Sequence, residues 1–137
     1  MIYLDTSVAL AELFAEDRRP APEFWRGELV SSRLLEYELW ARVHGRRAAA
    51  SHGEAVREIL AAVAFVELAP TVLERALEPF PVPVRTREVR TLAAMHLATA
   101  LFLAGRRQGV KVATYDERMR WAARAVGLGV VDMTAGE

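Results

Sequence analysis

Two aspartates stand where an acidic side chain can take part in catalysis or metal binding. Asp5 follows the apolar segment IYL, Asp116 follows VKVATY, and helical spacing begins after each of them. In an open α/β sheet, ligands bind at the edge where the strands end, so both acids are candidates for a site. Each can also cap the following helix. Thr6 and Ser7 are equally able to cap the first helix, so capping is a weaker explanation for Asp5 than for Asp116. The two carboxylates should meet if the first and fourth strands are neighbours.

The segment SSRLLEYELWARV supplies a third candidate acid. Leu35, Leu39 and Val43 form the apolar stripe of a predicted helix. Glu38 lies at the margin of this stripe, whereas Glu36, two residues away, faces outward. An acid at the edge of a buried stripe usually has a partner or a metal. Together with the two aspartates, this carboxylate predicts an oxygen-rich site suited to Mg²⁺ or Mn²⁺.

A histidine lies in the middle of the segment RTLAAMHLATAL, which is apolar almost all the way round. A helix of this composition must be buried on more than one side. A single histidine in such a stripe is more often a hydrogen-bonded core residue than a metal ligand. We therefore predict that His96 is structural.

Strands and helices alternate along the chain. The predicted strands are 2–4, 29–32, 64–68, 110–115 and 129–133; the predicted helices begin near 6, 22, 32, 54, 70, 88 and 116, and the proline-rich segment 79–85 is an extended loop. The helix of 54–63 should bury Val56, Leu60 and Val63. This alternation predicts a mainly parallel five-stranded sheet covered on both faces, in one domain spanning 1–137.

Composition excludes several classes of protein. The chain has 137 residues, 53% of them hydrophobic, a formal net charge of +0 and no cysteine. It therefore has no thiolate metal site, cysteine nucleophile or disulfide framework, which suits a reducing cytoplasm. No apolar stretch approaches the roughly 20 residues of a membrane span, and the first residues do not form a signal peptide, so we expect a soluble protein. Lys111 is the only lysine; coding bias explains the excess of arginine, although arginine also suits phosphate partners.

With YLDTS, SSRLLEYEL, HLATALFLA and VATYDERM in this order, the chain resembles a PIN domain, and its size is that of the VapC toxins of bacterial toxin–antitoxin pairs. The resemblance implies a small α/β/α sandwich and an endoribonuclease that uses Mg²⁺ or Mn²⁺ to hydrolyse RNA, such as transfer or ribosomal RNA. It also implies a VapB-like antitoxin partner and a homodimer. By the same resemblance, the metal-binding and catalytic acids are Asp5, Glu38 and Asp116, supported by Thr6 and Thr114.

The chain departs from the family pattern at one acid. In the family an aspartate usually stands three residues before the histidine of HLATA, and here that residue is Ala93. We expect weaker divalent-ion binding and a weakened or inactive nuclease, whether Ala93 is natural or a change that disarms a toxin. The alternative function is a catalytically silent PIN domain that binds an antitoxin or RNA. A phosphoacceptor receiver domain is rejected, because Asp5 has no acidic neighbour and Lys111 begins a strand instead of following one.

Arginines near the candidate acids are the expected RNA contacts, because phosphate contacts supply most sequence-independent affinity. They are Arg42, Arg46 and Arg47 after Glu38, Arg85, Arg87 and Arg90 before Ala93, and Arg118 after Asp116; we single out Arg42, Arg90 and Arg118. Each can equally be an ordinary solvated side chain. Trp25, Trp40 and Trp121 should lie mostly in the core, and part of their apolar area suits a partner surface.

Overall fold

A computed structural model describes residues 1–81 and 91–133. In chain order its elements are β1 (Ile2–Leu4), α1 (Thr6–Leu13), a 3₁₀ helix (Pro22–Arg26), β2 (Leu29–Ser32), α2 (Leu34–Gly45), α3 (Ala49–Ala61), β3 (Val63–Val66), α4 (Pro70–Leu77), α5 (Thr91–Ala104), β4 (Lys111–Ala113), α6 (Glu117–Ala125) and β5 (Gly129–Val130). The predicted alternation of strands and helices is confirmed.

The five strands form one parallel sheet in the order β3-β2-β1-β4-β5. The central strand is β1, in which Tyr3 pairs with Val30 of β2 and with Val112 of β4. The predicted neighbourhood of the first and fourth strands is therefore confirmed. It brings the turns that follow β1 and β4 to the same edge of the sheet, and these turns carry Asp5 and Asp116.

Helices cover both faces of the sheet, which gives the expected α/β/α sandwich. Successive side chains of a strand point to opposite faces, and β1 divides accordingly. Leu4 belongs to a core formed with α1, α2 and α3, in which Leu35 and Leu39 are fully buried. Tyr3 belongs to a second core formed with α4, α5 and α6, in which Leu97 is fully buried. The predicted stripe of α2 is confirmed, since its Val43 is also buried.

The third helix differs from the prediction. It begins at Ala49, and its buried residues are Gly53, Val56 and Ile59, whereas the sequence pattern had suggested Val56, Leu60 and Val63. Val63 is instead the first residue of β3. Gly53 lies against Trp40 of α2, where a Cβ atom would be at an ordinary contact distance of 3.6 Å from the ring. The buried face of α3 therefore includes this contact with α2 as well as its own apolar side chains.

Two expectations fall outside the described residues: the predicted helix start at Glu88 and most of the 79–85 loop. Within 1–81 and 91–133, no helix is long and apolar enough to cross a membrane.

Candidate active site

Asp5 directly follows the central strand and is buried, with 7% of its surface exposed. Its Oδ2 accepts hydrogen bonds from the Ser7 hydroxyl at 2.6 Å, the Thr114 hydroxyl at 2.8 Å and the Ser7 backbone N–H at 3.3 Å. Asp5 is thus the N-cap of α1, and the expectation that Thr6 or Ser7 would take this role is wrong. The backbone at Asp5 is extended, as a cap requires, whereas Thr6 is already the first helical residue.

Hydroxyl groups connect Asp5 to the turn that follows β4. The Thr114 hydroxyl, which donates to Asp5, accepts the backbone N–H of Asp116 at 3.0 Å. The Ser7 hydroxyl, which also donates to Asp5, accepts the backbone N–H of Tyr115 at 3.0 Å. The two bridges fix the turn against Asp5. The sequence indicated Thr114 through the family pattern, whereas Ser7 had stood out only as a possible cap.

Asp116 caps α6, one of the two roles expected for it. Its Oδ1 accepts the backbone N–H groups of Arg118 at 2.9 Å and of Met119 at 3.3 Å. The guanidinium Nε of Arg118 lies 4.0 Å from the same oxygen. A positive charge therefore accompanies this carboxylate, whose side chain is about one third exposed.

Glu38 faces the site from α2, while Glu36 points outward and pairs with Arg33. The Oε1 atom of Glu38 accepts the Thr6 hydroxyl at 2.9 Å and lies 2.6 Å from Nε2 of His96. Its position at the margin of the apolar stripe is confirmed, because the side chain is 21% exposed. Thr6 follows Asp5 directly in the chain, so this hydrogen bond places Glu38 on the same side of the sheet edge as Asp5.

His96 is buried in α5, as the sequence predicted, with 1% of its surface exposed. Its Nδ1 lies 2.7 Å from the hydroxyl of Tyr3, which itself accepts the backbone N–H of Ser32 at 3.1 Å. Burial raises the pKa of Tyr3 well above its ordinary value, so this hydroxyl remains protonated. The sequence pattern did not reveal that His96 contacts a candidate site acid.

The three acids share one pattern of hydrogen bonding. Among the described residues, each uses one carboxylate oxygen for protein hydrogen bonds, while Oδ1 of Asp5, Oε2 of Glu38 and Oδ2 of Asp116 accept none. Such oxygens are the ligands that Mg²⁺ and Mn²⁺ prefer. No three acidic or histidine side chains of residues 1–81 and 91–133 are close enough to hold one ion between them. The donor chemistry therefore fits a hydrated ion, since Mg²⁺ commonly keeps several waters and takes one or two carboxylates directly.

A groove of about 490 Å³ opens beside Glu38. Its lining includes Thr6, Leu10, Arg42, Arg46 and Leu92. The two arginines place positive charge along one wall, as the sequence suggested for this end of α2.

Of the remaining predicted arginines, Arg47 is exposed and does not line this groove. Arg118 lies beside Asp116. Arg85, Arg87 and Arg90 lie outside the described residues. A larger cavity of about 680 Å³, which includes Trp25 and Glu58, contains none of the candidate site residues.

A family model described as the PIN domain matches residues 2–125. The chain belongs to the PIN-domain family. It is 35% identical to ribonuclease VapC46 of Mycobacterium tuberculosis, covering 95% of both chains. It is 34% identical to ribonuclease VapC35 of the same organism, covering 96% of both. These relatives place the chain among the VapC-type PIN domains, whose activity is that of a ribonuclease.

A solved structure supports the fold of this PIN domain. A chain of a toxin–antitoxin complex from Klebsiella pneumoniae superposes with a TM-score of 0.64, covering 97% of this chain and 98% of that one. The sequence identity is 17%, so this likeness concerns the fold.

Ala93 lies in the first turn of α5 in this PIN domain. It is half-buried and packs at the margin of the second core. An alanine side chain offers no ligand oxygen, so this position contributes no charge to the site. Its neighbour Leu92, which is 43% exposed, presents an apolar side chain to the groove instead.

Proposed function

We propose that this chain is a metal-dependent endoribonuclease toxin that hydrolyses RNA phosphodiester bonds. The observation that supports it is the placement of three acids at the edge of the sheet where the strands end. Thr114 donates to the Asp5 carboxylate and accepts the backbone N–H of Asp116, and Glu38 accepts the hydroxyl of Thr6, the residue next to Asp5. Each acid retains one oxygen that accepts no hydrogen bond from the described residues.

Asp5, Glu38 and Asp116 would hold Mg²⁺ or Mn²⁺ partly through the ion's own water ligands, because the three carboxylates are not close enough to coordinate it together. A bound ion of this kind lowers the pKa of a coordinated water and offsets the negative charge of the phosphate. The hydroxyl groups of Ser7 and Thr114 orient Asp5 by donating to Oδ2, and Thr6 does the same for Glu38 at Oε1. Oδ1 of Asp5 and Oε2 of Glu38 are consequently left for the ion or its water ligands.

The RNA backbone would pass along the groove beside Glu38. Arg42 and Arg46 line it and supply the positive charge that phosphate contacts require. Arg118, next to Asp116, is the third described candidate for a phosphate contact.

Ala93 weakens the site, because it removes one carboxylate from the usual family set. We expect lower affinity for divalent ions and a reduced rate of cleavage relative to an aspartate at this position. Ala93 is also the feature that favours the second candidate function, a catalytically silent PIN domain that binds an antitoxin or RNA.

A VapB-like antitoxin and a second copy of the chain are the proposed protein partners. The VapC names of its relatives and the toxin–antitoxin complex that shares its fold support the antitoxin, whereas the homodimer is expected from the family resemblance alone. Trp25 and Trp40 pack against the first core, whereas Trp121 is 42% exposed and available to a partner. Light scattering of the purified chain, alone and with its antitoxin, measures both assemblies; a monomer unchanged by the antitoxin contradicts this part of the proposal.

The nuclease proposal is tested by cleavage of labelled single-stranded RNA with added Mn²⁺. We expect weak cleavage by the chain, stronger cleavage by Ala93→Asp, and a loss of at least about a hundredfold in Asp5→Asn. Asparagine caps helices as well as aspartate does, so Asp5→Asn should stay folded while it loses a ligand charge. Asp17→Asn, an exposed aspartate outside the site, is the matched control.

Two results would decide against the nuclease. If neither the chain nor Ala93→Asp cuts RNA although Mn²⁺ binds, the silent binding module is the better description. If Asp5→Asn cuts as fast as the chain itself, the activity resides elsewhere.

A further inference from the structure

Two buried side chains stand behind Glu38 and are not exposed to the groove. Tyr3 is fully buried in β1, and His96 is 1% exposed in α5. Neither can contact RNA, and neither is a carboxylate. They form a continuous path of hydrogen bonds, from the Ser32 backbone N–H through Tyr3 and His96 to Glu38, with successive separations of 3.1, 2.7 and 2.6 Å.

The direction of each hydrogen bond follows from the available protons. The Ser32 N–H can only donate, so the Tyr3 oxygen accepts from it and keeps its own proton for another acceptor. The hydroxyls of Ser31 and Thr99 also neighbour Tyr3, but they direct their own protons to backbone carbonyls at 2.8 Å, so neither donates to Tyr3. Nδ1 of His96, at 2.7 Å, is a stronger acceptor than a hydroxyl oxygen, so we assign the Tyr3 proton to it.

This donation determines the tautomer of the histidine. When Nδ1 of a neutral imidazole accepts a hydrogen bond, the proton resides on Nε2. The Nε2–H of His96 then donates to Oε1 of Glu38 at 2.6 Å, which is nearer to Nε2 than the Thr6 oxygen at 3.2 Å is. The same Oε1 accepts the Thr6 hydroxyl. Two donors from different elements thus hold one oxygen of the carboxylate, and Oε2 remains for a ligand in the groove.

We propose that Tyr3 and His96 are positioning residues that fix the Glu38 carboxylate by locking His96 in the Nε2–H tautomer. The inference rests on the proposed function only in taking Glu38 as a site acid. A hydrogen-bond partner that orients a metal-binding side chain commonly affects affinity or activity by 10–100-fold. Packing alone would not require the hydrogen bond from Nε2 of His96 to the Glu38 carboxylate.

The experiment uses histidine-labelled protein and long-range proton–nitrogen NMR at neutral pH without metal. His44→Gln and His52→Gln remove the signals of the other two histidines, so His96 is assigned without altering it. We expect His96 in the Nε2–H form, with a slowly exchanging Nε2 proton. Tyr3→Phe removes only the donor to Nδ1, so the preference for the Nε2–H tautomer should be lost. Glu38→Ala removes the acceptor, so the Nε2 proton of His96 should exchange quickly with water. Tyr37→Phe, an exposed tyrosine on α2, should change neither signal.

The second measurement is Mn²⁺ binding by the same proteins, followed calorimetrically. Tyr3→Phe should weaken Mn²⁺ binding about tenfold. In a Glu38→Ala background, Tyr3→Phe should cause no further loss, because the side chain it helps to position is gone. Equal losses in the two backgrounds would overturn the proposal, as would an Nδ1–H tautomer in the unaltered chain.

These results are separable from the nuclease proposal. RNA cleavage that is unaffected by Asp5→Asn would defeat the nuclease while leaving the tautomer intact. Conversely, the chain could cleave RNA while the His96 signals stay unchanged in both Tyr3→Phe and Glu38→Ala. That result would contradict only the positioning role.

Discussion

At the scale of single residues, hydroxyl groups select one carboxylate oxygen in Asp5 and one in Glu38. Ser7 and Thr114 both direct their protons to Oδ2 of Asp5, and Thr6 directs its proton to Oε1 of Glu38. Hydrogen bonds to an ionised carboxylate are among the stronger ones in proteins. The carboxylates are therefore oriented before any ligand arrives.

Thr114→Val is expected to lower the free energy of unfolding by about 1–3 kcal/mol, because it leaves the Asp116 N–H without its acceptor and removes one of the three hydrogen bonds to Asp5. RNA cleavage should fall as well. Urea denaturation measures the stability. Thr99→Val is the matched control: Thr99 is equally buried, but its hydroxyl donates to the carbonyl of Met95 in its own helix. A loss as large in Thr99→Val would show that the hydroxyl bridge has no special role.

At the scale of elements, short turns at the ends of strands place the acids. Asp5 is the N-cap of α1 and Asp116 is the N-cap of α6. The same two side chains therefore begin a helix and lie at the candidate site. The far end of α6 is set by Gly127, whose φ of +86° lies in the left-handed region that favours glycine. This glycine returns the chain to the sheet as β5.

Gly127→Ala is expected to destabilise the protein by about 1–2 kcal/mol, because an alanine in the left-handed region is strained. Gly45, at the end of α2, provides the opposite case, since a Cβ there meets nothing within 4 Å and no positive φ is needed. Gly45→Ala should raise stability by up to about 1 kcal/mol through helix propensity. Thermal unfolding of both variants checks the two signs, and a stabilised Gly127→Ala would contradict the assignment.

At the scale of the whole molecule, different charged groups lie at the two ends of the parallel strands. The edge where the strands end holds the three acids and the groove. At the other edge, Glu28 precedes β2 and Arg107 precedes β4, and they form a two-pronged ion pair with one N–O separation of 2.6 Å. The pair joins strands on either side of β1, so it can be altered without touching the site.

Arg107 lowers the pKa of Glu28 below its ordinary value of 4.5 by hydrogen bonding. The sign follows from linkage: the pair stabilises the folded chain above pH 4.5, and this contribution is lost as the pH falls through the lowered pKa. Unfolding of the chain and of Glu28→Gln should therefore differ at pH 7 and converge at acid pH. The difference should shrink in high salt, because the pair is exposed. A constant difference across the pH range would contradict the assignment.

Much of the fold and of the candidate site followed from local sequence patterns. The alternation of apolar strands with helical stripes predicted the parallel sandwich, because strand and helix periodicities are properties of neighbouring residues. The positions of Asp5 and Asp116 after strands, and of Glu38 at the margin of a stripe, followed from the same patterns. The prediction of the buried face of α3 was wrong, because that face depends on a contact with another helix, between Gly53 and Trp40.

The sequence by itself therefore determined the class of fold, the positions of the three candidate acids relative to the strands and helices, and the alanine at position 93. Only the tertiary structure decided how those acids are held: that Asp5 caps α1, that Ser7 and Thr114 bond to one oxygen, and that His96 faces Glu38. Tyr3 and His96 are 93 residues apart, and Glu38 and His96 are 58 apart. Their contact depends on the strand order and on the packing of α5 against β1 and α2. No periodicity within a single segment encodes such a contact, because it arises only when distant segments share one core.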